Sequence, residues 1–171
     1  MFLRRKKIFC LGLSGLILCA GLFFSSIPAD ALGLSVDPGE IILREVPLGE
    51  KISVVEFAGE KAKLLIENKS EKDCTYDIEV LSVTGVNAHL KRGYKDIPGT
   101  SWIKPEKKEV HILAGNTKTV DVYLEIPKDK QYENKNYQAI LEVKSRKDNP
   151  GDLFVLAVQV RMCISTQKIE D

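Results

Sequence analysis

Residues 108–126 read KEVHILAGNTKTVDVYLEI, and this stretch decides the fold. Val120, Val122, Leu124 and Ile126 share one parity; Thr119, Asp121, Tyr123 and Glu125 share the other. Side chains on a strand alternate between faces, so the run reads as a half-buried strand. Before it, Val110 and Ile112 alternate with Glu109, His111 and Leu113. Ala114-Gly115-Asn116 separates the two runs. Gly and Asn most readily take the positive φ of a tight loop, so the stretch is expected to form a β-hairpin. Pro127 has no N–H to offer and ends the ladder.

Downstream, Lys128 to Asn136 reads as a polar loop. Tyr137, Ala139, Leu141 and Val143 then alternate with Gln138, Glu142 and Lys144. The turn formers Lys147 to Gly151 follow, then a last strand, Leu153 to Thr166, with Val158, Val160, Met162 and Ile164 inward. At a sheet edge this apolar strand is able to accept a partner strand; covered on both sides, it is not. The tail QKIED is charged and is expected to fray.

Upstream, Pro38-Gly39 and Pro47 with Gly49 mark turns in short pieces that suit an edge strand switching sheets. Ile52 to Phe57 (ISVVEF) reads as a short strand. Leu64 and Ile66 face in, against Lys63, Leu65 and Glu67. Asn68-Lys69-Ser70 is formally a glycosylation acceptor inside a loop of turn formers. Tyr76, Ile78 and Val80 alternate with Asp77 and Glu79, and residues 84–101 show no period.

After the leader there is no helix pattern. The whole predicts an all-β, immunoglobulin-like β-sandwich of seven to eight strands, preceded by an N-terminal signal helix. The first, second, fourth and fifth strands are expected in one sheet, and the third, sixth and seventh in the other.

Arg4, Arg5, Lys6 and Lys7 precede an apolar run from Ile8 to Phe24, followed by the small-residue pattern Ala29-Asp30-Ala31. This marks residues 1–31 as a signal peptide, with the mature start at Leu32 and the sandwich over 32–171. The 17-residue run also lies at the lower edge of what spans a bilayer, so an uncleaved anchor is the rival reading. Either way the domain is extracytoplasmic. Leu18 before Cys19 argues against a lipoprotein site.

The chain carries 25 Lys and Arg against 24 Asp and Glu; without those four basic residues and Asp30 the counts are 21 and 23. Such a balance, with signs interspersed, gives no reason to expect nucleic acid as a partner. A membrane enters only through the N-terminal segment, if uncleaved. Cys74 shares parity with the inward set of its strand and Cys163 with Gln159, Arg161 and Ser165. That difference argues against a bridge and predicts a buried thiol at 74 and an edge thiol at 163.

No catalytic, cofactor-binding or metal motif is present. His89 and His111 lack metal-ligand spacing and read as surface residues. The pairs Asp77/Glu79 and Asp121/Glu125 lie on solvent faces. Trp102 reads as packing rather than as a sugar platform. Tyr137 opens its strand where sandwiches place a tyrosine that hydrogen-bonds the preceding loop.

The phrases LLIENKSEKDCTYDIEV (64–80), SWIKP (101–105), VHILAGNTKTVDVYLEIP (110–127) and NYQAILEV (136–143) support a resemblance. The chain resembles the N-terminal sandwich of PapD-like periplasmic chaperones. It also resembles the WxL-associated peptidoglycan-binding sandwich of Gram-positive surface proteins. The match covers most of residues 34–145 and includes an asparagine closing the second strand. The second domains of both families, and the chaperones' basic cleft, are not matched, so no functional residue carries over. The resemblance implies the fold and an extracytoplasmic address; the leader, one sandwich-sized domain and the lack of a catalytic constellation point to an exported, non-catalytic module that binds or scaffolds cell-envelope components. The alternative is a periplasmic chaperone-like assembly factor using strand addition. Implied partners are envelope or exported proteins, with a cell-wall polymer as the other class.

One register follows for 120–126, because a one-residue slip would bury Asp121 and Glu125. Val122→Asp is expected to unfold the domain, since an unpaired buried carboxylate costs several kcal/mol. Asp121→Asn should change stability by no more than about half a kcal/mol, as at ordinary surface sites. Thermal melts of the two variants check this; damage from Asp121→Asn alone would overturn the register.

Overall fold

The computed structural model describes residues 33–146 and 154–168. The expected leader and its cleavage point, the whole Lys147–Gly151 turn together with Asp152 and Leu153, and the last three residues of the tail lie outside the described residues. The strands are β1 Leu34–Asp37, β2 Glu40–Val46 and β3 Lys51–Ser53. After the short helix α1, Val54–Ala58, come β4 Leu64–Asn68, β5 Cys74–Ser82 and β6 Lys95–Asp96. Then follow β7 Ile103–Pro105, β8 Glu109–Ile112, β9 Thr117–Val120 and β10 Val122–Glu125, and finally β11 Asn136–Ser145 and β12 Ala157–Thr166.

The result is an all-β, immunoglobulin-like sandwich. One layer is a sheet in the order β2-β12-β11-β5-β8, with β6 also beside β11. The other consists of two three-stranded pieces, β1-β4-β9 and β3-β10-β7. Tyr76, Ile78, Leu141, Val160, Met162 and Ile164 from the first layer meet Leu64, Ile66, Val120, Val122 and Leu124 from the second in one apolar core. The expected switch at Pro38-Gly39 is present: β1 pairs with β4, whereas β2 runs parallel to β12 in the other layer.

The inward parity of 120–126 holds: Val120, Val122, Leu124 and Ile126 are all buried. The hairpin does not. β8 pairs with β5, β9 with β4 and β10 with β3 and β7. Gly115 does take positive φ, at 68°. The turn it makes is a corner between layers, and hairpins and corners demand the same residues. Val122 consequently stands opposite Pro105, while Val120 is the residue opposite Leu64.

The expected fourth strand, β8, also changes layers, lying beside the third, β5. Ile52 to Phe57 is not a strand throughout. It is β3 running into α1, because the Ser53 hydroxyl accepts the Glu56 N–H at 3.4 Å and caps a helical turn. The last strand starts at Ala157 and is not at an edge: β2 and β11 flank it.

The two thiols are free, and their environments are the reverse of the parity expectation: Cys163 is buried and Cys74 only half-buried. Residues 83–97 explain the burial of Cys163. Asp96 accepts the N–H groups of Val83, Thr84 and Ile97 and the Thr84 hydroxyl. Burial pushes its carboxyl up, but these donors hold it below its usual range. The segment is clasped to the outside of the sheet by Gln138, which accepts the Lys91 N–H at 2.8 Å and donates to His89 O at 3.1 Å. Gln138 and Ile140 on that outer face are buried, as is Cys163. The Cys163 thiol lies 3.5 Å from Glu40, and burial pushes it up to about 11.

Asn68 closes β4 with no exposed surface. Its Nδ2 donates to Lys72 O at 2.8 Å and Ile112 O at 3.0 Å. Its Oδ1 accepts Ser70 N–H at 3.1 Å and lies 2.7 Å from Ser70 Oγ and 3.1 Å from the Tyr76 hydroxyl. The amide is spent internally, so this position is no glycosylation site. Orphaning a buried polar group costs about 1–3 kcal/mol, and Asn68→Ala orphans several. Asn68→Ala is expected to lose about 3 kcal/mol or more, and Tyr76→Phe only about 1–2. Urea unfolding measures both; a loss under about 1 kcal/mol for Asn68→Ala would remove this residue from its role.

Candidate functional site

β5 has nine residues and β8 has four. β8 covers Cys74 to Asp77, and the Ile78 N–H still reaches Lys108 O at 2.8 Å. Beyond that point the preceding chain belongs to the opposite layer. β7 pairs with β10, and the Glu106 N–H is bound to Asp121 O at 2.7 Å. Among the described residues, the crossing at 106–108 therefore leaves Glu79 to Ser82 paired on the β11 side alone.

Antiparallel strands alternate which neighbour each residue bonds. Ile78 turns its N–H toward β8, so Val80 and Ser82 turn theirs the same way, past the end of β8, toward the side where residues 100–105 pass. Glu79 and Leu81 turn theirs to β11. Beside this edge lies an open groove of about 730 Å³. Ile78, Val80 and Leu81 form one wall and Ile103, Lys104 and Pro105 the other, with Thr100 and Ser101 at one end.

Arg146 stands at the other end. Its guanidinium holds Asp77 at 2.6 and 2.9 Å and Glu109 at 2.8 Å. The Asp77 carboxylate, hydrogen-bonded to it, raises Arg146 further above its already high value. These groups are largely solvated, so their direct effect on stability is small. Their geometric effect is to tie the ends of β11 and β8 to β5 where the groove begins.

The structure does not gather the residues singled out by type. His111 is exposed on β8, with Nδ1 3.3 Å from Thr75 Oγ1. His89 is exposed on the 83–97 segment. Asp77 and Glu79 sit at the groove, whereas Asp121 lies at the β9–β10 junction and Glu125 is 3.9 Å from Lys104. Among the described residues no group of His, Cys, Asp and Glu is placed to hold a metal. Trp102 is buried edge-on against Tyr132 and Tyr137, at ring separations of 4.8 and 5.8 Å, so it packs. Tyr137 serves through its ring in the same trio; the tyrosine hydroxyl that ties a loop is that of Tyr76, 3.1 Å from Gly33 O.

No family model and no curated protein matches the sequence. Solved structures do match. One is the ASH/PapD-like domain 7 of human CEP192: TM-score 0.55, 9% identity, 81% of this chain and 87% of that one. Another is the periplasmic chaperone SfaE: TM-score 0.52, 11% identity, 79% of this chain and 58% of that one. A third is the Salmonella enterica SafA pilin in complex with the SafB chaperone: TM-score 0.50, 8% identity, 81% and 56%. The fold is PapD-like. At such identities the likeness concerns the fold alone. The PapD-like sandwich here spans little more than half of the two matched chains from chaperone structures.

Amide exchange reads the open edge directly. Glu79 and Leu81 are expected to exchange roughly a hundred-fold or more slower than Val80 and Ser82, since only the former pair are ladder-bonded. Equal protection of all four would show the edge to be covered.

Proposed function

We propose that this chain is an exported, non-catalytic PapD-like module that binds other exported proteins of the cell envelope, acting as a chaperone-like assembly factor. The observation that carries the reading is the edge of β5 left unpaired beyond β8, beside a groove lined by both apolar and charged side chains. A strand edge seeks a partner chain, and a groove beside it gives that partner's side chains somewhere to go. Two matched structures point the same way, one described as a periplasmic chaperone and one as a pilin in complex with a chaperone. The leader over residues 1–31 supplies export, with Leu32 as the proposed mature start and an extracytoplasmic location for the domain.

A passive scaffold is the second reading, and the module's single sandwich suits it equally. The strand-edge chemistry favours the first, because a scaffold needs no unsatisfied edge.

In intact cells of the native host, a membrane-impermeant lysine crosslinker is expected to join this chain to proteins that carry their own export leaders. Adducts with cytosolic proteins alone, or none above those of an unrelated tagged sandwich, would overturn the proposal.

A further inference from the structure

The edge strands β2, β3, β7 and β8 are blunted. β2 is interrupted by a register shift opposite Ile164 and Thr166, carries exposed Arg44 and Glu45 with Glu45 at φ 55°, and is followed by Pro47. β3 and β7 have three residues each, and β7 ends in Pro105. β8 is four residues long with exposed Glu109 and His111. Shortness, charge, bulges and proline are the usual protections against edge-to-edge pairing. The second half of β5 carries one exposed charge, Glu79, but no proline and no bulge: Val80, Leu81 and Ser82 are half-buried and regularly paired to β11.

We infer that Glu79–Ser82 is a strand-addition site for an extended segment of an exported partner, lying in line with β8; this rests on the reading given above. Val80 and Ser82 each present one N–H and one C=O to that segment. Four residues of edge span about 13 Å, the length of a short strand. Inward-facing residues of the segment lie level with Val80 and meet Ile103 and Pro105, so they must be apolar. Outward-facing ones lie beside the exposed Glu79 and Lys108 at one end, where a polar residue fits, and beside the half-buried Leu81 at the other. The occupant is thus a peptide with alternating apolar residues, recognised mainly through its backbone.

Proline tests the site selectively. At Val80 or Ser82 it removes an N–H that makes no ladder bond, so the sandwich keeps its internal pairing. A photoreactive benzoylphenylalanine in place of Leu81 is introduced into the full chain in its native host, and the same probe in place of Arg44 serves as reference. The expected result is an adduct from position 81 to an alternating segment of an exported protein, cut at least ten-fold by Val80→Pro or Ser82→Pro. If both proline variants fail to fold, the sequence of the adduct from position 81 decides alone.

Adducts from position 44 that proline leaves unchanged would overturn the site while leaving the proposed function standing. Absence of adducts from both positions would overturn both. An adduct to a second copy of this chain, or to its own termini, would overturn the partner assignment.

Discussion

The hydrogen bonds of Asn68 are the constraint on which the rest depends. One buried amide joins the end of β4, the start of β5 through Tyr76, and the last carbonyl of β8. These strands belong to both layers, so the amide fixes how the layers meet at this end of the sandwich. The backbone reinforces it: Asn68 N–H reaches Asn116 O at 2.9 Å, and Lys69 N–H reaches Gly33 O at 3.1 Å. Burying an amide is tolerable only when its donors and acceptor are all met, as here. Burial, with Cys74 nearby, raises the Tyr76 hydroxyl above its ordinary range, keeping it a donor at any physiological pH. Because Asn68 pins β8 at Ile112, β8 stays on the first half of β5 and ends where the groove begins.

The second determinant is the route of the chain between β5 and β8. Residues 83–97 fold outward over the sheet, held by Asp96 and Gln138, and then enter the opposite layer as β7. Only at 106–108 does the chain return. A direct β5–β8 hairpin would have covered the whole of β5. The detour both buries Cys163 on the outer face and leaves Glu79 to Ser82 open.

How much of this was legible in the sequence follows from the range of each interaction. Strand parity is local, so the inward sets of 64–66, 76–80, 120–126 and 160–164 could be read directly. The asparagine after Ile66 was visible as part of a resemblance, though its bonds to Ile112 and Tyr76 were not, because they span 44 and 8 positions. Residues 52–57 read as a strand because Val54 and Val55 are strong strand formers, and the Ser53 cap on Glu56 shows only in the structure. Gly115 announced a turn but not whether the turn joins one sheet or two. Gln138 and Cys163 read as outward, and they are; the residues that bury them have no period. The open edge was the least legible feature, since it exists only in the difference between β5 and β8 and in the crossing at 106–108.

The energetics suggest how such an edge would work. Four main-chain hydrogen bonds contribute roughly 2–6 kcal/mol net. Association costs about 4–15 kcal/mol in lost freedom. Backbone pairing alone therefore binds nothing, and the balance must come from apolar side chains entering between Val80 and Ile103. At about 25 cal/mol per Å², burying some 200 Å² of apolar surface adds roughly 5 kcal/mol. The sum is a weak complex whose backbone half is indifferent to sequence. That combination suits a module that holds an unpaired strand briefly and releases it to a better partner. A permanent scaffold would need a larger contact than four residues of edge supply.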